Sequence, residues 1–328
     1  METAKKLLHT PICDLFSVEY PIVLAGMGGV AMAPLVAAVS EAGGLGVLGA
    51  ATLDPESMRE EIRKIRKLTD RPFAVDLLAP IPEMIRGHMK VLYEERVEIF
   101  VSGLAVPDEF IGEMRERGMK VVVMVGKVRH ALKAERAGAD VVAAQGTEAG
   151  GHTGEVGTMA LVPQVADAVS IPVLAAGGIC DGRGVAAALA LGAAGVVVGT
   201  RFIATEEATA APSYQRAILS SAEDATVRTR CYTGKPARTI RNRYNSKWQQ
   251  REHEIKPFPA QMIDSAREGL LDYMGTRGDI DPERSFMPAG QGLGMIREIK
   301  PAAEVVRELV DEAVATLESL SQLVGGRP

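Results

Sequence analysis

The residues of this sequence best suited to chemistry are one imidazole and the glycines around it. The stretch Ala144-Gln145-Gly146-Thr147-Glu148-Ala149-Gly150-Gly151-His152-Thr153-Gly154 follows an apolar run, Ala139-Asp140-Val141-Val142-Ala143, that reads as a short buried strand. Four glycines between Gly146 and Gly154 let the backbone approach a flat or anionic ligand closely, because no Cβ stands in the way. His152 would then be a proton-handling group beside that ligand. The loop alone is equally consistent with a glycine-rich turn that carries a surface histidine. No second His, Cys or carboxylate stands at metal-ligand spacing from His152, so no metal is expected. Glu148, four residues earlier, would orient the ring or simply be solvated.

Two later segments, Ala175-Ala176-Gly177-Gly178-Ile179 and Gly199-Thr200-Arg201-Phe202, also follow apolar runs. Gly177, Gly178 and Gly199 expose amides and Thr200 adds a hydroxyl. Such loops, with a helix N-terminus behind them, suit a phosphate; the alternative is a pair of tight turns chosen for helix packing. Gly26-Met27-Gly28-Gly29-Val30-Ala31 fits the dinucleotide pattern G-x-G-x-x-A, but the acidic residue expected about 20 positions on is not at a clean strand end. It reads better as a loop passing close to a ligand's ring. In Met287-Pro288-Ala289-Gly290-Gln291-Gly292, Gln291 would donate to a ligand or cap a turn. His9, His88, His130 and His253 lie in terminal, charged or helical surroundings and are given no role. Ser102 and Ser213 lack a nucleophile elbow, so no hydrolase triad is supported.

Eight apolar runs would position these loops: Pro21–Ala25, Leu45–Leu48, Phe73–Leu78, Val97–Ser102, Lys120–Val125, Ala139–Ala144, Ile171–Ala176 and Gly195–Gly199. They lack polar alternation, as expected of a parallel sheet covered on both faces. Helical stretches separate them, including Ala31–Ala42 and a Pro55–Leu68 helix for which Asp54 is the natural cap. The expected fold is therefore α/β, a (β/α)8 TIM barrel. The regularity stops after Phe202. Residues 207–284 hold the only tryptophan, Trp248, and charged, helix-leaning segments without strand patterns. They read as a helical insertion between strand eight and the last barrel helix, Pro301–Leu323. The expected division is a barrel domain of residues 1–206 and 285–328, with 207–284 as an insertion domain.

At 328 residues, with 47% hydrophobic but only 4% aromatic side chains, the core must rest on Ala, Val, Ile, Leu and Met. A net charge of −5 argues against a general nucleic-acid binder, although basic residues cluster between Arg228 and Arg251 as a solvated or anion-binding face. The three cysteines, Cys13, Cys180 and Cys231, have no C-x-x-C spacing and read as reduced thiols of a cytoplasmic protein. No run is long enough to span a bilayer, and Met1–Thr10 has no signal-peptide core.

With these segments assembled, the chain resembles the nitronate monooxygenase family, which includes the FMN-dependent enoyl-acyl-carrier-protein reductases and an NADH:quinone reductase branch. The matching stretches are Pro21–Gly28, Ala42–Gly46, Gly146–Gly154, Ala175–Gly178, Asp181–Gly184, Val198–Phe202 and Ala289–Gln291. The resemblance implies non-covalent FMN, with its phosphate on the loops of Gly177, Gly178, Gly199 and Thr200. It implies that His152 and Gly151 stand beside the isoalloxazine, with Gly26 and Met27 bordering the ring. It puts Asp76 at a strand-three position where relatives often carry Asn, Gln145 near the pyrimidine edge, and Gln291 closing the site from the insertion side. Met124 stands where the quinone-reductase branch carries a lysine. No tyrosine follows Tyr273, where some nitronate monooxygenases line the pocket with tyrosines. The loop Ala79-Pro80-Ile81-Pro82 differs from the forms associated with either activity.

The expected function is an FMN-dependent nitronate monooxygenase that oxidises alkyl nitronates with O2. The alternative is an NAD(P)H-dependent flavin reductase of an enoyl thioester or a quinone. A flavin-free isomerase or lyase would need an acid/base pair at strand ends, for which only His152 and Asp76 are present. A non-catalytic binding module leaves the imidazole unexplained. The expected partner is a small molecule, with a homodimer left open.

Overall fold

The eight apolar runs form strands because each is sheathed on both faces, so a continuous Val/Ile/Leu/Ala sequence has no side that must meet water. The computed structural model describes residues 7–78, 82–272, 274–276 and 278–325; residues 79–81 of the proline-bearing loop, and Tyr273, lie outside them. The chain begins α1 (Pro11–Phe16), β1 (Ile22–Leu24), α2 (Ala33–Glu41), β2 (Gly46–Gly49), α3 (Pro55–Leu68), β3 (Phe73–Leu78), α4 (Pro82–Glu94) and β4 (Ile99–Gly103). It continues α5 (Ile111–Glu116), β5 (Lys120–Val125), α6 (Val128–Ala137), β6 (Val141–Gln145), β7 (Gly151–His152), α7 (Thr158–Ala168), β8 (Val173–Ala176), α8 (Gly182–Ala190) and β9 (Gly195–Val198). Beyond β9 come α9 (Thr200–Ile203), α10 (Pro212–Leu219), β10 (Thr226–Thr229), β11 (Ala237–Ile240), α11 (Arg243–Trp248), α12 (Ala260–Arg267) and α13 (Ala302–Gly325).

Eight strands make one parallel sheet in the order β1-β9-β8-β6-β5-β4-β3-β2. A parallel bridge from Val23 to Leu45 joins its edges, so the sheet closes into a (β/α)8 barrel. Local chemistry fixes the helices around it. Asp54 caps α3 by accepting the N–H groups of Glu56 and Ser57 at 3.0 and 2.9 Å, with Pro55 at the first helical position. The last helix, α13, docks on α8 as the outer layer of the eighth unit: the Gly182 N–H donates to Glu312 Oε2 at 2.9 Å.

The insertion is helical in α10, α11 and α12, as its composition implies, but it also contains a strand pair that the sequence reading did not anticipate. β10 and β11 run antiparallel, Thr226 facing Ile240 and Thr229 facing Ala237. Four-residue strands as polar as Thr226-Val227-Arg228-Thr229 carry too little pattern to be recognised. β11 then pairs with β7, placing Ala237 opposite His152 and Arg238 opposite Gly151. A small aromatic core supports this arm, with the Tyr232 and Phe286 ring centroids 4.8 Å apart. No helix among the described residues is long and apolar enough to cross a membrane.

Candidate active site

At the C-terminal ends of the barrel strands lies a cavity of about 370 Å³. This is the end at which (β/α)8 barrels carry their chemistry. The structure brings Gly26, Met27, Asp76 and Gln145 to its wall from one part of the barrel, and Gly177, Gly178, Gly199 and Thr200 from another. Gly151 and His152 border it from the strand that pairs with the insertion.

His152 is held by its backbone ladder to β11 and by one side-chain contact, Nε2 to Thr233 Oγ1 at 2.9 Å. The Lys235 N–H donates to that same oxygen at 3.3 Å. Nδ1 has no protein partner among the described residues. Burial, and then the positive charge of Lys235, push the His152 pKa down to about 4. The ring is therefore neutral at physiological pH and can donate a hydrogen bond, but it is a weak base.

Asp76 is 7% exposed and has no hydrogen-bond partner among the described residues. Burial alone pushes its carboxyl up to about 8. Gly26 is shaped to it: a Cβ there would stand 2.2 Å from Asp76 Cβ and 2.2 Å from Oδ2. Real Cβ atoms do not approach so closely, so the loop after β1 can lie over this carboxyl only as glycine.

On the opposite wall, Gly177 and Gly178 take φ of +109° and +76°, which side-chain-bearing residues rarely adopt. Both line the cavity, as do Gly199 and Thr200 of the next strand's loop. The helix N-terminus expected behind a phosphate is otherwise engaged. Asp181 accepts the Gly184 N–H at the start of α8, Glu312 accepts that of Gly182, and α9 is only four residues long. Any anion here would be held by loop amides and a hydroxyl.

The Thr200 hydroxyl also accepts the buried Gly290 N–H at 2.9 Å, tying β9's loop to the segment after the insertion. Thr200→Val leaves that N–H unsatisfied, a loss of about 1–3 kcal/mol. The melting temperature is expected to fall by roughly 2–6 °C, while Thr200→Ser stays at the wild-type value. Equal melting of all three proteins would remove the tie from the account.

Two expectations are corrected. Gln291 is exposed, and its backbone N–H donates to Glu148 O at 2.9 Å; its neighbours Gly290 and Gly292 border the cavity in its place. The turn is fixed by backbone bonds, so the amide side chain is free to face water. Glu148 neither orients His152 nor stands solvated. Its carboxylate accepts the Thr158 N–H at 2.8 Å and the Thr158 hydroxyl at 2.9 Å, anchoring the start of α7.

Sequence reasoning missed Thr233, Arg238 and the apolar rim formed by Met262, Leu271 and Phe286. Arg238 reaches from β11 to donate to Thr147 O at 2.8 Å, and so holds the loop that leads to His152. Nothing marks these residues locally; they matter only because the insertion folds back over the barrel.

A family model described as nitronate monooxygenase matches residues 9–88 and 84–312. The (3aS,4S,5R,7aS)-5-hydroxy-7a-methyl-1-oxo-octahydro-1H-indene-4-carboxyl-CoA dehydrogenase of Mycobacterium tuberculosis is 33% identical over 97% of this chain and 99% of its own length. The solved structure of FabK from Thermotoga maritima is 40% identical, covers 96% of this chain and 99% of that one, and superposes with a TM-score of 0.88. The nitroalkane oxidase of Streptomyces ansochromogenes is 34% identical over 94% of this chain and 99% of its own, with a TM-score of 0.84. A match that runs through nearly every barrel unit and through the insertion that carries the partner strand of His152 leaves one conclusion: this chain belongs to the nitronate monooxygenase family of oxidoreductases.

Proposed function

We propose that this chain is an FMN-dependent oxidoreductase acting on an α,β-unsaturated thioester or its saturated counterpart, with His152 as hydrogen-bond donor to the thioester carbonyl. The cavity fits the flavin in three respects. An unpartnered buried carboxyl borders it, a loop that tolerates no Cβ covers that carboxyl, and two glycines of positive φ with Gly199 and Thr200 line the wall besides. Asp76, Gly26, Met27 and Gln145 would hold the ring system; Gly177, Gly178, Gly199 and Thr200 would hold the phosphate. When bound, FMN supplies the hydride exchange.

The observation that carries the thioester reading is a neutral His152 in a cavity bordered by no Lys or Arg among the described residues. An anionic substrate would lose its hydration there with no cation on the cavity wall, the nearby Lys235 standing behind it. A carbonyl needs only a donor, and the charge that builds on its oxygen when the β-carbon gains or loses hydride is what a fixed donor stabilises. The Thr233 hydroxyl stands 2.9 Å from Nε2 and 3.2 Å from the Lys235 carbonyl, and in the tautomer in which it donates to Nε2 the proton of the ring is on Nδ1 for that purpose. The rim of Met262, Leu271 and Phe286, with Met124 deeper in, excludes water from an acyl chain. The relative named as a carboxyl-CoA dehydrogenase supports a thioester substrate.

Nitronate oxidation is the second reading, supported by the likeness to a nitroalkane oxidase. Anaerobic mixing of the flavin-loaded protein separates the two by flavin absorbance. After reduction by NADH or NADPH, the flavin should reoxidise with crotonyl-CoA and not with buffer. Bleaching of the oxidised flavin by propyl nitronate, with no response to the thioester, would reverse the order. A protein that takes up no flavin would sink both.

A further inference from the structure

Asp76 is a buried ionisable group on the cavity wall to which a carbonyl donor at His152 gives no use. Its surroundings are uncharged on every side. β2 presents Gly49 opposite it, β4 presents Val101 and Gly103, and the loop after β1 presents Gly26. Residues 79–81, which follow β3, are Ala, Pro and Ile and carry no ionisable side chain. His152, Cys180 and Tyr214 also border the cavity, yet no charge acts on Asp76; burial is the sole cause of its shift. A carboxylate in this place would have neither water nor a cation.

The chemistry of the pair decides the protonation state. In the FMN reading Asp76 shares the cavity wall with Gln145, which the resemblance sets near the pyrimidine ring of the flavin, and the polar edge of that ring is an imide, an N–H flanked by two carbonyls. It is satisfied by a partner that donates and accepts at once. Asparagine does both and a carboxylate only accepts. A carboxylic acid, with O–H and C=O on one carbon, again does both.

We propose that Asp76 recognises the imide edge of the flavin as the carboxylic acid, so that flavin binding by this chain depends on a proton that an asparagine there would not need. The inference rests on the FMN reading above. The proton stays on a carboxyl oxygen of Asp76, donated to a flavin carbonyl, while the other oxygen accepts the imide N–H.

Linkage gives the size of the effect. With the carboxyl titrating near 8 in the free protein, nearly all molecules are competent at pH 7. About one in eleven is competent at pH 9, so the apparent Kd should rise about tenfold between those values. The protein freed of flavin should be titrated with FMN from pH 6 to 9, followed by flavin fluorescence, for wild type and Asp76→Asn. The variant should hold its Kd within about twofold over the same range. Calorimetry of the wild type in two buffers of different ionisation enthalpy counts the proton directly: close to one taken up at pH 9 and almost none at pH 7. This second measurement needs no variant.

Flavin-free melting gives an independent sign. A raised carboxyl favours the folded chain in full below about pH 4 and loses that contribution as pH rises through about 8. Asp76→Asn should therefore melt increasingly above wild type between those limits. Tight binding with no proton uptake at pH 9, or the same slope in both proteins, would overturn the proposal and leave the FMN reading intact. Binding by wild type but not by a folded Asp76→Asn would overturn the imide pairing. Failure of FMN to bind either protein at any pH would instead overturn the FMN reading itself.

Discussion

His152→Phe is expected to slow reoxidation of the reduced flavin by an enoyl thioester by about 10²–10³, with flavin content and the rate of flavin reduction by NAD(P)H unchanged. The magnitude is that of removing one fixed donor from a developing oxyanion. Phenylalanine keeps a ring in the cavity wall and removes both nitrogens, so packing survives while donation is lost. His152→Asn retains a donor and should recover part of the rate. A base would behave differently, because neither variant could replace it. The pH profile makes the same distinction. The imidazole titrates at about 4 and keeps its Nδ1–H when protonated, so a donor's rate should stay level from pH 8 down through ring protonation, whereas a base would lose rate there. Lys235→Met removes the like charge and should raise the imidazole pKa without lowering a donor's rate. If wild type consumes neutral nitroalkane as fast as the pre-formed nitronate, proton abstraction is efficient and the donor role of His152 is wrong.

Gly26→Ala should both destabilise the protein and empty it of flavin. The new Cβ would overlap the Cβ of Asp76 as well as its carboxylate, so rotation of the side chain gives no relief. Either the loop after β1 or strand β3 must move. Overpacking of this kind costs about 1–3 kcal/mol, a fall in melting temperature of roughly 2–6 °C. Lifting the loop also widens the place a flat ligand would occupy, and flavin content after purification should drop at least tenfold. Gly26→Ala combined with Asp76→Gly removes the overlap and should recover stability, a coupling that independent sites would not show. Gly112→Ala is the control, since a Cβ in that helix meets nothing within 4 Å and alanine is the better helix former. Full flavin content and unchanged melting in Gly26→Ala would mean that the fit between Gly26 and Asp76 constrains nothing.

The barrel was legible in the sequence because its signal is local. Eight runs of Val, Ile, Leu and Ala without polar alternation can be satisfied only by strands covered on both faces, and each was placed within two residues of its observed ends. The short helices between them force parallel neighbours. The Asp54-Pro55 cap was readable for the same reason, since donor and acceptor are near neighbours in the chain. Glycine clusters marked loops that border the cavity, because unusual backbone demands are met by residue type alone. Gln291 misled because a glutamine between glycines looks available for donation, and only the turn's backbone bond to Glu148 shows that its side chain is turned to water.

What the sequence determined by itself is thus the barrel, the loops at its mouth and the residue types that line the cavity there. Tertiary structure alone decided the chemical state of those residues. His152 meets Thr233 across 81 residues of chain, and it is neutral because an arm of the insertion buries it and brings Lys235 close. Asp76 reads as an ordinary carboxylate in a strand, and becomes an acid because glycines and apolar side chains from three other elements surround it. Proton affinity is a property of the medium around a group, and that medium is assembled from segments the local sequence cannot see.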